Sequence, residues 1–280
     1  MTGTHWATTA VTHVRNQAHG EPIDPTWRVT LHFHPDRATG DTTILRAIAT
    51  DSRYRSQFEI GTSNGGMTAH PGGDRWNWES RLFSGAYDQA PPTARPVYGS
   101  LNHRMRPYGG SPRFGSAHLR LNTATLTRTT LCYPDSVFEP VALATTDRCA
   151  LIELADTDDQ DLLDDYIEAH VHGGVILTRD AEALVLDPSF RNTEIETDAH
   201  LLGIPVQWHQ GFQTDIDEIA AHPDYRGPEI VKAATRIAQQ GLLNPRIIGE
   251  AVHKAEYDPQ TLKRVWHYTA RFGHPGKTPR

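Results

Sequence analysis

Cysteine is almost missing from this chain: there are two, Cys132 and Cys149. Their spacing suits neither a zinc site nor a redox pair, so both read as buried thiols in a reducing setting. No apolar run approaches the ~20 residues that cross a bilayer. Met1 to Asn16 has no apolar signal region. The expected location is the cytoplasm, or outside by a route without a cleaved signal, with no membrane partner. Cations are short as well. The formal charge is -7 over 280 residues. A nucleic-acid partner, which demands clustered Lys and Arg, is therefore not expected.

Histidine, by contrast, is plentiful at 16 residues, which raises metal or pH chemistry as a theme. The length fits one large domain or two small ones. Residues 1–26 read as a lead-in segment. Trp27 to His34 alternates as a half-buried strand that Pro35 stops. Asp41 is placed to cap a short helix through Ile44, Leu45 and Ile48. Tyr54 to Ile60 alternates again, with Arg55, Gln57 and Glu59 on one face. Val97 to Leu101, Phe114 to Leu121 and Arg128 to Cys132 also read as strands. The acidic run Asp156–Asp165 reads as a short solvated helix. Tyr166 to Val171 returns to period two, with Glu168, His170 and His172 sharing a face. Pro205 to Trp208 closes the strand set. From Pro228 onward, prolines at first helical positions and Gly241 at an end indicate helices. The expected class is α+β: a β-rich body over 27–227 and a helical appendage over 228–280.

Three constellations set polar groups on strand faces beside glycine-rich turns. One is Arg55-Ser56-Gln57 leading into Gly61-Thr62-Ser63-Asn64-Gly65-Gly66. Another is Tyr98-Gly99-Ser100-Leu101-Asn102 with Arg113-Phe114-Gly115-Ser116. The last is Glu168-Ala169-His170-Val171-His172-Gly173. Glycines and hydroxyls of this kind let a polar, phosphate-bearing ligand approach the backbone. An early-strand Arg, a hydroxyl-bearing strand and a late-strand Glu follow the order seen in ADP-ribosyltransferases. Cleaving the nicotinamide–ribose bond of NAD makes an oxocarbenium-like centre, which a carboxylate stabilises. An Arg and backbone N–H groups hold pyrophosphate. An aromatic ring stacks on the nicotinamide.

The strings HFHPD (32–36), QFEIGTSNGG (57–66), GGDRW (72–76), YGSLN (98–102), PRFGSAHLRL (112–121), CYPDS (132–136), EAHVHG (168–173), ALVLDPSF (183–190) and HPDYRGPE (222–229) occur in order over roughly residues 27–230. Through them the chain resembles a bacterial family of uncharacterised domain, related to effector ADP-ribosyltransferases that modify ubiquitin on threonine. The resemblance implies two packed, mostly antiparallel sheets with NAD as co-substrate between them. It implies a protein acceptor such as ubiquitin. Carried across, Glu168 is the catalytic carboxylate and Arg55 the motif-one arginine. Ser116, or Ser63 with Asn64, takes the nicotinamide-side hydroxyl, and His170 or His172 the general base. Tyr98 or Phe114 stacks on a ring. Gly65, Gly99, Asn102, Arg113 and Gly115 complete the expected cofactor contacts. The chain departs from the usual pattern by carrying Glu168-Ala169-His170 where two acids stand one residue apart. It also lacks a Ser-Thr-Ser string.

Two other classes compete. A metal-dependent hydrolase would use His32-x-His34 and His170-x-His172, with Asp36, Asp187 and His209 as further ligands. A non-catalytic binding module would dock a partner on the helical tail or on the acidic run.

Overall fold

The computed structural model describes residues 3–61 and 67–274. Its centre is an eight-stranded sheet built from β1 (Val29–Phe33), β2 (Val97–Leu101), β3 (Ala117–Leu121), β4 (Thr129–Tyr133), β5 (Ala142–Thr145), β6 (Ile167–Val171), β7 (Ala181–Leu186) and β8 (Val206–Trp208). The spatial order is β8-β7-β3-β1-β2-β6-β4-β5. Every neighbouring pair is antiparallel except β7 with β8, which run parallel. The architecture is thus α+β with one large mixed sheet. The expectation of two packed sheets is corrected: among the described residues the remaining strands form only three two-stranded ribbons.

Alternation sorts the sheet into two unlike faces. Val29, Leu31 and Phe33 of β1, and Ile167, Ala169 and Val171 of β6, enter the main apolar core. Helices Ile44–Asp51, Leu151–Thr157 and Glu194–His200 cover that side through Leu45, Leu151 and Ile195. The other face carries Thr30, His32, Ser100, Thr130, Glu168 and His170, all buried. A smaller core of Val14, Trp78, Phe83 and Tyr87 packs over part of it, against Cys132. Both faces being covered explains why all five residues of β1, β4 and β6 are buried. The C-terminal helices Pro228–Ile237, Pro245–Lys254 and Pro259–Phe272 pack around a second core that also takes in Tyr108, Leu163, Phe212 and Ile219. They join the sheet region by hydrogen bonds from Trp266 Nε1 to the Pro112 carbonyl (3.0 Å) and from His253 Nε2 to the Asp36 carbonyl (2.7 Å). No helix among the described residues is long and apolar enough to cross a membrane.

Several sequence expectations need local correction. The strand expected over Tyr54 to Ile60 is only Arg53–Tyr54, followed by the helical turn Gln57–Ile60. A reciprocal capping box decides this: Ser56 accepts from the Glu59 N–H while Glu59 accepts from the Ser56 N–H. Ser-x-x-Glu outweighs the alternation. Phe114 belongs to a 3-10 turn, Pro112–Phe114, and the strand starts only at Ala117. Gly115 is pressed on β1; a Cβ there would sit 2.1 Å from the Phe33 carbonyl carbon. Thr43, not Asp41, caps helix Ile44–Asp51. The lead-in holds helix Gly3–Gln17. The acidic run contains only the end of helix Leu151–Thr157.

Candidate functional site

The sheet register assembles the site. Glu168 on β6 stands between Ser100 of β2 and Cys132 of β4, and His170 between Tyr98 and Thr130. Helix Asp74–Leu82 lays Arg75, Trp78 and Glu79 over them; all three are buried. Spacing of three and four residues puts those side chains on one helical face. A cleft enclosing about 80 Å³ opens here, with Glu168, Tyr98, Gly99, Arg75, Phe114 and Tyr166 among its walls. Liquid water occupies ~30 Å³ per molecule, so the enclosed part holds only two or three waters' volume, and any larger ligand must extend along the open side. A wider hollow of about 450 Å³ lies by the C-terminal helices. Its Asp161–Arg271 ion pair (2.7 Å) is partly solvated, and the buried carboxylate makes the cleft the stronger candidate.

Glu168 is fully engaged. Its Oε1 lies 3.0 Å from His170 Nε2. Its Oε2 accepts from the Ser136 hydroxyl (3.0 Å) and the Ser136 N–H (3.3 Å). Arg75 Nη1 is 3.8 Å from Oε1 and donates to Ser136 Oγ at 2.6 Å. Burial pushes the Glu168 pKa up, but the His170 hydrogen bond, the Arg75 charge and the Ser136 hydroxyl outweigh it. The net shift is downward, so the carboxylate stays ionised.

A hydrogen-bond chain runs back from His170. Its Nδ1 lies 3.0 Å from Thr130 Oγ1, which lies 2.9 Å from His172 Nε2. His172 Nδ1 is 2.7 Å from the Tyr87 hydroxyl. An ionised Glu168 only accepts, so His170 Nε2 carries a hydrogen. With His170 neutral, Thr130 donates to His170, His172 Nε2 to Thr130, and Tyr87 to His172. Every group is then satisfied. Reversal would leave the Tyr87 hydroxyl hydrogen with no acceptor among the described residues. The dipoles therefore all point toward the carboxylate. Beside the chain, Tyr98 donates to Glu79 Oε1 (2.8 Å) and Arg95 to Glu79 Oε2 (2.6 Å). Burial raises the Glu79 pKa to about 7 despite these partners. The Arg75 guanidinium stacks 4.2 Å above the Tyr98 ring.

The residues expected from sequence separate into three groups. Glu168, Arg55, Tyr98, Gly99 and Phe114 line the cleft. Arg55 is half-exposed and bound to Asp51 at 2.6 Å. Ser63, Asn64 and Gly65 lie outside the described residues. The others stand off the cleft wall. Asn102 closes a turn with the Arg106 backbone (2.9 and 3.0 Å). Arg113 pairs with Asp164. Gly115 accepts from His32 Nδ1 (3.1 Å). The Ser116 carbonyl accepts from His209 Nε2 (2.9 Å). His170 sits behind Glu168, under the rings of Trp78, Phe83 and Tyr98. The cover leaves Glu168 as the group between His170 and the cleft. Arg75, Ser136 and Tyr166 are cleft residues that the sequence reasoning missed. The signal for Arg75 was its spacing to Trp78 and Glu79.

The His-x-His pairs do not converge on an ion. His172 is held by Tyr87 and Thr130, and His32 by Gly115 and the Ser111 N–H (3.3 Å). His34 stands edge-on to Trp266, and Asp36 lies against Gly249. Asp187 caps the turn Pro188–Phe190, 3.9 Å from His209. Among the described residues, Cys132, Glu168 and His170 do bring ligand atoms within 4.8 Å of one another. Arg75 beside the same carboxylate opposes a cation there.

A family model described as Protein of unknown function (DUF3626) matches residues 28–155 and 142–272. The chain belongs to this family. The family's two matches together span all the residues named above as cleft walls. No curated protein matches the chain.

Proposed function

We propose that the cleft binds NAD and transfers its ADP-ribose to a protein acceptor, a threonine hydroxyl of ubiquitin or of a similar protein. One observation carries this: Glu168 is a buried yet ionised carboxylate on the wall of a cleft edged by the rings of Tyr98, Phe114 and Tyr166. As the ribose–nicotinamide bond breaks, its electron pair leaves with nicotinamide and positive charge grows on the ribose. A fixed carboxylate stabilises that charge without reorganising. The rings suit a flat leaving group. The acceptor hydroxyl then bonds to the ribose carbon and releases its proton to solvent. His170, Thr130, His172 and Tyr87 hold the carboxylate's charge and aim. The test is incubation with NAD and ubiquitin. Free nicotinamide and an acceptor heavier by one ADP-ribose are expected. No nicotinamide, with or without acceptor, overturns the proposal.

A further inference from the structure

His267 is a buried group that the cleft chemistry leaves unused. It lies on helix Pro259–Phe272 and is 5% exposed. Neither ring nitrogen has a hydrogen-bond partner among the described residues. A neutral imidazole has one donor and one acceptor nitrogen, and buried polar groups seldom stay unpaired.

Its surroundings are cationic. Lys263, half-buried, stands one turn earlier on the same face. The Trp266–Pro112 hydrogen bond (3.0 Å) seats Arg113 against this helix. The His34 ring stands 5.0 Å from that of Trp266. Arg226 donates its backbone N–H to Tyr268 Oη at 3.2 Å, and its own Nε is buried with no hydrogen-bond partner among the described residues. Burial lowers the His267 pKa to about 2, and the charges of Arg113, Arg226, Lys263 and His34 push the same way. Asp164 pairs with Arg113. In sequence the cluster neighbours the cleft: Arg113 precedes Phe114, and His34 stands two residues after His32, both cleft residues.

We propose that Arg113, Lys263, Arg226 and His267 form a phosphate or pyrophosphate subsite at one end of the cleft. This rests on the dinucleotide reading, in which the bridging phosphates lie here while the ribose faces Glu168. An anion oxygen would accept from the His267 N–H and from Arg226 Nε, and would offset the cations. Of the groups first expected for phosphate, Arg55 pairs with Asp51, the Gly115 N–H donates to the Pro112 carbonyl (3.2 Å), and Gly65 lies outside the described residues.

The probe is inorganic pyrophosphate, titrated calorimetrically into the full chain. One bound pyrophosphate per chain is expected. Arg113→Gln and Lys263→Gln should each weaken it by about tenfold, the size of one charge-assisted hydrogen bond. Asp164→Asn should tighten it, because Arg113 is released. The His267 ring-nitrogen NMR signals should move on binding. No binding to the folded chain, or binding that none of these variants alters, overturns the subsite. Pyrophosphate binding without NAD cleavage would keep the subsite and remove only the assigned chemistry of Glu168.

Discussion

Glu168 and His170 lie two residues apart on one strand, and their side chains meet at 3.0 Å, Oε1 to Nε2. Alternation puts both on the same face of β6. The contact turns a buried acid into the terminus of a polarised chain rather than an isolated charge.

The chain can be cut at Thr130. Thr130→Val keeps the shape but strips the hydroxyl that lies between His170 Nδ1 and His172 Nε2. Two buried ring nitrogens lose their partner. Urea denaturation should show a loss of about 2 kcal/mol, and Thr130→Ser should regain most of it. In the wild type, nitrogen NMR should find both imidazoles protonated at Nε2; an Nδ1–H tautomer would contradict the direction of the chain.

Arg75 is the cation beside Glu168, and both are buried. Arg75→Met leaves that carboxylate without its counter-charge. The expected cost is about 3 kcal/mol. The Glu168 pKa should rise, read from the carboxyl carbon shift in a pH titration. Adding Glu168→Gln should return part of the lost stability; a strictly additive double variant would show that the two side chains do not interact.

Acid should destabilise the fold through His32. Burial holds its pKa at about 4, against the ordinary 6.5. Between those values the unfolded chain binds a proton that the folded chain refuses. Stability from this group is therefore whole above pH 6.5 and is lost as pH falls toward 4. His32→Asn should flatten the curve in that window. An unchanged slope would mean that His32 is not held neutral. Glu79, with its raised pKa, acts in the opposite direction between about 4.5 and 7, so the comparison must be wild type against variant.

A chelator separates the ion-based alternative. Removal of metals should leave the melting temperature unchanged. A clear drop, with zinc found by elemental analysis, would assign Cys132, Glu168 and His170 to an ion.

Much of the sheet was legible because its strands alternate. Val29, Leu31 and Phe33 opposite Thr30 and His32 announce β1, and Glu168, His170 and His172 announce a polar face on β6. Legibility fails where a local hydrogen bond competes with the period, as Ser56 and Glu59 show. It fails again where the site depends on register. Nothing local in the sequence tells that Glu168 sits opposite Ser100, or that a distant helix lays Arg75 over Tyr98. Arg75 drew no reading of its own from the sequence, because charged residues are usually solvated. Its burial comes from tertiary packing alone.

The most direct test of the account is nicotinamide release from NAD by the wild type and by Glu168→Gln, with melting curves confirming that both are folded. Removing one preorganised group aimed at a developing charge typically costs about 10²–10³ in rate, and a loss of that order is expected. Equal rates in the two proteins would contradict the role given to Glu168.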